Sequence, residues 1–552
     1  MSQGGGGRLR RPRRSAEGRA RSELRIRRRQ RKPRSERPST ERVRTEARLR
    51  GRAPRRPARV ELGRLRVVAV VAIAAALIVG IGAGLSLLAS PEPTSGVSIE
   101  PIRSSVLLCP EPGANAELGV RVTAAVVPNQ PGQDGQGRAV LETLPGKTSA
   151  REVLRAPGSQ VSIDAFGRKL PPIRASGKDA MAPGLVADQW GRDPRGAGRG
   201  LASTACAPAG AEFWFVGGGA IAGRQTRIVL VNPDENPATV DLVIYGPDGI
   251  IDAPGGRGLI VPPLERLVTR LDALAPGVKS TALHVIVRTG RIGASVDDDQ
   301  MSGLNAVGAD WIPAATPPST TVYLPGVLPG FGARVLSMVA PGDDDAIVRI
   351  RLLSPIGAFA PSERETVEVP AGTVVSLDMA PVTDEQPVTL ELTSDVPIAA
   401  GVRQFFGTRS EQNETSYTAG AVQFTGTAAV TGLPIRPSTD TRVFITAPAE
   451  DATVQVSLLP YTGSKKPASP TQPVTVQVKA GYVQNIRLSP PDGASWYTAV
   501  VTTDPGSGPV LVAHRVLERS SYGDLVTGYP WAPLRTEVGV PTTEQDPGVT
   551  VR

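Results

Sequence analysis

The sequence predicts an all-β protein: tandem immunoglobulin-like β-sandwich modules that follow a disordered Arg-rich tail and one transmembrane helix. Three observations carry that prediction. A frame of strands and turns recurs along the chain with a period near 107 residues. Gly and Pro, 60 and 53 of 552 residues, match the turn chemistry of short strands better than that of long helices. The formal charge of +10 is divided sharply in two, with a single long apolar run at the division.

The basic segment comes first. Residues 1–66 hold 24 Arg and one Lys against six Glu, a net of +19, whereas the remaining residues hold 37 basic and 46 acidic side chains, a net of −9. With few apolar residues and no periodicity, 1–66 is too polar to offset the entropy of ordering, so a disordered cytoplasmic tail is expected. It has no aromatic residue for base stacking, which argues against nucleic acid and leaves adhesion to an anionic inner leaflet.

Residues 67–89 follow without a charge. As a helix, 23 residues span about 34 Å, enough for a hydrocarbon core of about 30 Å. The positive-inside rule places 1–66 in the cytoplasm and everything after Ser90 outside, a single-pass plasma-membrane topology. A cleaved signal peptide is the competing reading; the long basic n-region and Leu87, where a cleavage site wants a small residue, count against it. Ala72, Ala76, Gly80 and Gly84 recur every fourth residue and form a small-residue stripe through which two such helices could pack as a homodimer. Residues 90–96, with Pro91 and Pro93, make a linker.

The repeat lies beyond it. Arg227-Ile-Val-Leu-Val-Asn-Pro233 precedes Ala238-Thr-Val-Asp-Leu-Val-Ile-Tyr245, and Gly249 stands eleven residues after Ala238. The frame returns at Arg334, Ala346 and Gly357 and again at Arg442, Ala452 and Gly463, with the alanines 108 and 106 residues apart. Alternation such as Val-Arg-Ile-Arg-Leu and Val-Gln-Val-Ser-Leu indicates half-buried strands. About seven strands in some 105 residues is the size of an immunoglobulin-like sandwich, although a Cys-Trp-Cys core is missing and strand order is not assignable. Modules are expected at 209–318, 319–436 and 437–540, with a divergent copy at 97–208 and a flexible tail at 541–552. Cys109 and Cys206, the only cysteines, bracket the divergent copy and are expected to form a disulfide outside the membrane. The Gly- and Arg-rich stretch 191–200 is expected to be a long loop.

Motifs that suggest chemistry lose weight in context. Gly217-Gly-Gly-Ala-Ile-Ala222 fits a dinucleotide fingerprint, but the next element is a strand, so a β-turn linking the first module to the second is expected. Leu459-Pro-Tyr-Thr-Gly463 spells a sortase signal, yet it occupies the hairpin position of Tyr245–Gly249. Asp297–Asp299 and Asp343–Asp345 offer clustered oxygens of the kind calcium favours; solvated acidic loops are the simpler expectation. His284 and His514 fall in apolar strands and are expected to be packed there. No nucleophile elbow, zinc-spaced His pair or catalytic triad order is present, so neither a cofactor nor a metal nor an enzymatic activity is expected. Trp214, Phe215 and Trp311, near module edges, are the candidates for a ligand or partner contact, with plugs between sheets as the alternative.

The stretch Ala205–Gly218, ACAPAGAEFWFVGG, followed by Thr226–Pro233, resembles an uncharacterised actinobacterial family of secreted or membrane-anchored β-rich proteins. The resemblance spans most of 97–540 and implies a cell-envelope setting, often beside genes for cell-surface glycosyltransferases, with no catalytic residues to carry over. The expected function is therefore a non-enzymatic, membrane-anchored scaffold presenting a rod of modules to envelope proteins. A lectin-like module binding envelope polysaccharide is the alternative.

Overall fold

The computed structural model describes residues 67–77 and 97–541, apart from 111–119, 146–148, 166–170, 197, 331, 384–385, 408–411 and 465. Contacts divide the chain into two units, 1–92 and 93–552. In the first, residues 67–77 are helical with exposed apolar side chains, Ala72 and Ala76 among them. The remainder of the expected span, Gly80 and Gly84 included, lies outside the described residues, as do the Arg-rich tail and the linker. No helix among the described residues is long and apolar enough to cross a membrane.

The second unit is all-β, and one pattern of pairing accounts for nearly all of it. The best-defined repeat runs through strands Glu212–Gly218, Arg224–Val231, Ala238–Gly246, a fourth split into Gly249–Ile251 and Leu259–Val261, then Arg266–Arg270, Thr281–Thr289, Gly293–Ser302 and Asn305–Ile312. One antiparallel sheet has the order first–sixth–third–fourth, the other fifth–second–seventh–eighth. The same order recurs in the first repeat, from Ser104–Cys109 to Gly200–Ala205, and in the last, from Thr427–Pro434 to Leu525–Thr527. In the third repeat the sixth and seventh strands are one continuous element, Val388–Gly407, whose halves serve opposite sheets. Thr427–Pro434 pairs with Trp496–Thr503, so the last repeat opens before the expected boundary at 437.

Alternation explains why each pair of sheets closes on a core. Val240, Leu242 and Ile244 point inward from the third strand and meet Ile228 and Leu230 of the facing sheet in one buried cluster. Three equivalent clusters fill the other repeats. In the first of these, Cys109 and Cys206 form the expected disulfide, with Cα atoms 4.2 Å apart. Closing a loop of 97 residues stabilises by roughly 4–5 kcal/mol on chain-entropy arithmetic.

The repeats do not extend as a rod. Smaller apolar clusters join the first repeat to the second (Leu108, Leu144, Val229, Trp311), the second to the third (Trp214, Tyr245, Val339, Ala399) and the third to the fourth (Leu328, Leu353, Phe406, Phe444). A further cluster joins the fourth back to the first (Ala125, Val127, Ala429, Val500). The four repeats thus close into a ring, an arrangement of the modules that the sequence leaves open. Outside the sandwiches, Val97–Pro101 pairs antiparallel with Glu537–Pro541, so the two ends of the described body form one ribbon.

The eighth strands of all four repeats meet at the centre of the ring. Such close approach needs glycine. A Cβ on Gly308, whose φ is +123°, would lie 2.2 Å from the Thr415 nitrogen, and one on Gly200 would lie 2.2 Å from the Ala309 carbonyl oxygen. By contrast, Gly249 has φ +120° with open space around its would-be Cβ. Gly249→Ala is expected to cost only the backbone strain, about 1–3 kcal/mol. Gly308→Ala adds a collision between central strands and is expected to destabilise more. Chemical denaturation of the two variants checks the order; an equal loss would show that the centre tolerates separation.

Candidate functional site

A ring closed only by apolar contacts would leave its centre dry and featureless. Instead the polar strands of the chain converge there. Asn413-Glu-Thr-Ser-Tyr417 is a polar stretch within the strand Gln412–Ala419, yet Glu414, Thr415, Ser416 and Tyr417 are all buried. The charged groups that meet them come from the first and second repeats, joined by Arg403 of their own repeat.

The most densely paired of these is Asp298. Its carboxylate accepts from Arg224 Nε at 2.9 and 3.1 Å and from the hydroxyls of Thr226 and Tyr417, with Arg403 Nη2 3.4 Å away. Arg224 also donates to the carbonyls of Gly217 and Lys279 at 2.5 and 3.1 Å. Arg403 lies over the rings of Phe405 and Tyr417, 4.4 and 5.9 Å from their centroids. Burial pushes the Asp298 carboxyl up, but Arg224 and Arg403 outweigh it and hold it below the ordinary carboxylate range. Two repeats are thereby joined through one desolvated charge cluster.

Asp298 belongs to a triplet expected in a solvated loop or around calcium. That expectation fails at Asp297–Asp299. These residues lie inside Gly293–Ser302, buried, and opposite the second strand in register. Alternation sends Asp298 to the repeat interface and Asp297 and Asp299 to the other face, where Arg227 reaches them at 2.7 and 3.1 Å. Burial raises the Asp299 carboxyl to about 6 despite that arginine. Asp343–Asp345 does lie in an exposed turn. Among the described residues no cluster of His, Cys, Asp or Glu is arranged to hold a metal ion.

Three further carboxyls are buried at the centre. Asp310 accepts from the Ser203 and Trp311 backbone nitrogens at 3.1 and 2.8 Å and from the Thr527 hydroxyl. Glu414 lies 3.4 Å from Arg199 Nη1, which also donates to the Asn413 carbonyl. Burial raises both carboxyls well above the usual range, and for Glu414 the charge of Asp310 adds to it. Asp188 accepts from the Thr431 nitrogen at 2.7 Å and the Tyr529 hydroxyl at 2.5 Å. Its carboxyl is raised by burial to about 7. Arg199 and Arg192 come from the stretch expected as a long loop; it is a hairpin between Leu185–Asp193 and Gly200–Ala205, and Arg192 meets Glu518 of the last repeat at 2.5 Å.

The remaining sequence-predicted residues are structural. Trp214 is buried between two repeats, stacked 4.0 Å from His284 and 5.8 Å from Tyr245. Phe215 is in the core of the second repeat and Trp311 plugs the seam with the first. None of the three presents a face to a ligand, which corrects their candidacy as contact residues. His514 is fully packed against Tyr529 and Trp531, and burial holds its imidazole down to about 3. Gly217 and Gly218 end the strand Glu212–Gly218, and the following residues to Ala222 lead to Arg224–Val231. This connection therefore lies inside the second repeat and does not link it to the first. Leu459 lies within the strand Ala452–Tyr461.

The hub was hidden because its members are scattered singly along the chain. One signal was available: polar residues such as Glu414 and Asp310 standing in strands whose flanks are apolar. Residues 156–432 match DUF5719, a family of unknown function, and that match takes in Asp188, Asp298, Asp310, Arg403 and Glu414. No curated protein matches the chain.

Two outcomes follow from the geometry. Asp298→Ala leaves Arg224 and Arg403 buried without their carboxylate and is expected to cost about 3–5 kcal/mol, measured by denaturant unfolding. For Asp188 the folded pKa, about 7, lies above the unfolded value of about 3.9. Its contribution is therefore complete below pH 4 and is lost as pH rises through 7. Melting temperature should fall more steeply between pH 5 and 8 in the unsubstituted protein than in Asp188→Asn. Parallel curves would contradict the burial of a titrating carboxyl there.

Proposed function

The chain belongs to DUF5719, a family of unknown function, and we propose that it is a membrane-anchored extracytoplasmic scaffold of the bacterial cell envelope that acts by contact rather than catalysis. The Cys109–Cys206 disulfide carries this reading, because it calls for an oxidising compartment and lies in a body that follows a 23-residue uncharged run. The +19 segment before that run favours a cytoplasmic N-terminus. Ala72, Ala76, Gly80 and Gly84 would then provide the face for helix pairing in the bilayer.

The repeats are immunoglobulin-like in size and in keeping second–fifth and third–sixth strand pairs. They depart from that fold in placing the seventh strand beside the second. A rigid ring suits a scaffold, since its outer strands and hairpins hold fixed positions for partners such as envelope assembly proteins. Surface-polysaccharide assembly is the setting that the actinobacterial resemblance implies. Burial of Trp214, Phe215 and Trp311 weighs against the lectin-like alternative.

Single cysteines at Ser15 and at the fully exposed Leu304, probed with a membrane-impermeant maleimide on intact cells, test the topology. Labelling at position 304 and not at 15 is expected. The opposite pattern, or release of the protein into the soluble fraction, would refute the anchor.

A further inference from the structure

Cross-strand neighbours in a sheet tolerate opposite charges and resist like ones. The second and fourth repeats treat the same row of residues differently. In the second, Arg227 stands opposite Arg270 on one side and opposite Asp297 on the other. Asp297 and Asp299 both pair with Arg227, while Asp272 takes Arg270, so the row is neutralised internally. In the fourth, Arg442 stands opposite Arg487 on one side and opposite Arg515 on the other. Where the sister repeat has an aspartate, this one has a third arginine.

Asp440 alone gathers all three, at 2.9 Å from Arg442, 2.9 Å from Arg487 and 2.5 Å from Arg515. Arg442 uses Nη1 on the Asn485 side-chain oxygen at 3.3 Å, Arg515 leaves a buried Nε without a hydrogen-bond partner, and the Arg487 side chain, 67 % exposed, keeps donors free for a ligand. Burial, with Arg442 and Arg519 nearby, holds the Arg515 guanidinium below the ordinary arginine range against the pull of Asp440. Beyond this row, Arg192 and Arg436 share Glu518. Five arginines thus pair with two carboxylates on one part of a body whose overall balance is acidic.

We propose that the Arg442–Arg487–Arg515 row is a binding site for phosphate groups, presented by a phosphodiester polymer or as free phosphate. Guanidinium forks match phosphate oxygens two at a time, and a phosphate would add to the single charge of Asp440 as Asp299 adds to Asp297 around Arg227 in the sister repeat. The proposal is independent of the membrane topology and of the scaffold role.

Arginine-specific footprinting with phenylglyoxal on the full chain, resolved peptide by peptide, tests it, because tail arginines are then scored separately. Inorganic phosphate, poly(glycerol phosphate) and polyglutamate are the probes. Slower modification of Arg487 is expected with both phosphate probes and not with polyglutamate. Protection by the polymer at much lower phosphate concentration than the free ion would identify the polymer as the source; equal protection would identify free phosphate. In Arg487→Gln, read at Arg442 and with melting temperature confirming the fold, the phosphate needed for protection should rise about tenfold. An unchanged rate at Arg487 with every probe, or equal protection by polyglutamate, would overturn the proposal.

Discussion

Everything else in the β body depends on four strands that approach one another closely enough to bury carboxyl groups at the centre of a ring. That approach is a steric matter first, since Gly200 and Gly308 remove the side chains that would hold the strands apart. It becomes an electrostatic matter at once, because strands so close exclude the water that would solvate Asp188, Asp310 and Glu414. The chain meets the cost in two ways. Asp298 is given arginines, whereas Asp310 and Asp188 are given backbone amides and hydroxyls and titrate late.

The two solutions do different things for the assembly. A buried ion cluster punishes the loss of any member, so it specifies which repeat meets which. A carboxyl that holds its proton acts as both donor and acceptor and tolerates a range of partners. The seams between repeats combine both kinds with apolar clusters. The result is that the repeats, alike in strand order, meet at seams that differ from one another.

Much of the fold was legible because it is local. Strand periodicity, hairpin glycines such as Gly249 and the recurring Ala-to-Gly spacing all report on neighbours in sequence. The disulfide was legible because only two cysteines were available. Ring closure was not, since it depends on pairs such as Ser203 and Thr527, or Trp190 and Thr431, hundreds of residues apart. The aspartate triplet misled for a related reason. A run of three charges belongs in solvent unless arginines from other strands are waiting for it, and Arg224, Arg227 and Arg403 come from other strands of the fold.

The terminal ribbon has a consequence for how the chain is threaded. Val97 is the register partner of Pro541, so the first and last described residues of the body are strand neighbours, about 5 Å apart. Beginning and end are then interchangeable positions on a circle. Joining them by a short linker and opening the chain at an exposed hairpin tip such as Gly303-Leu304 would give a circular permutant with the same seams. The order in which the four repeats are synthesised is separable from the ring they make.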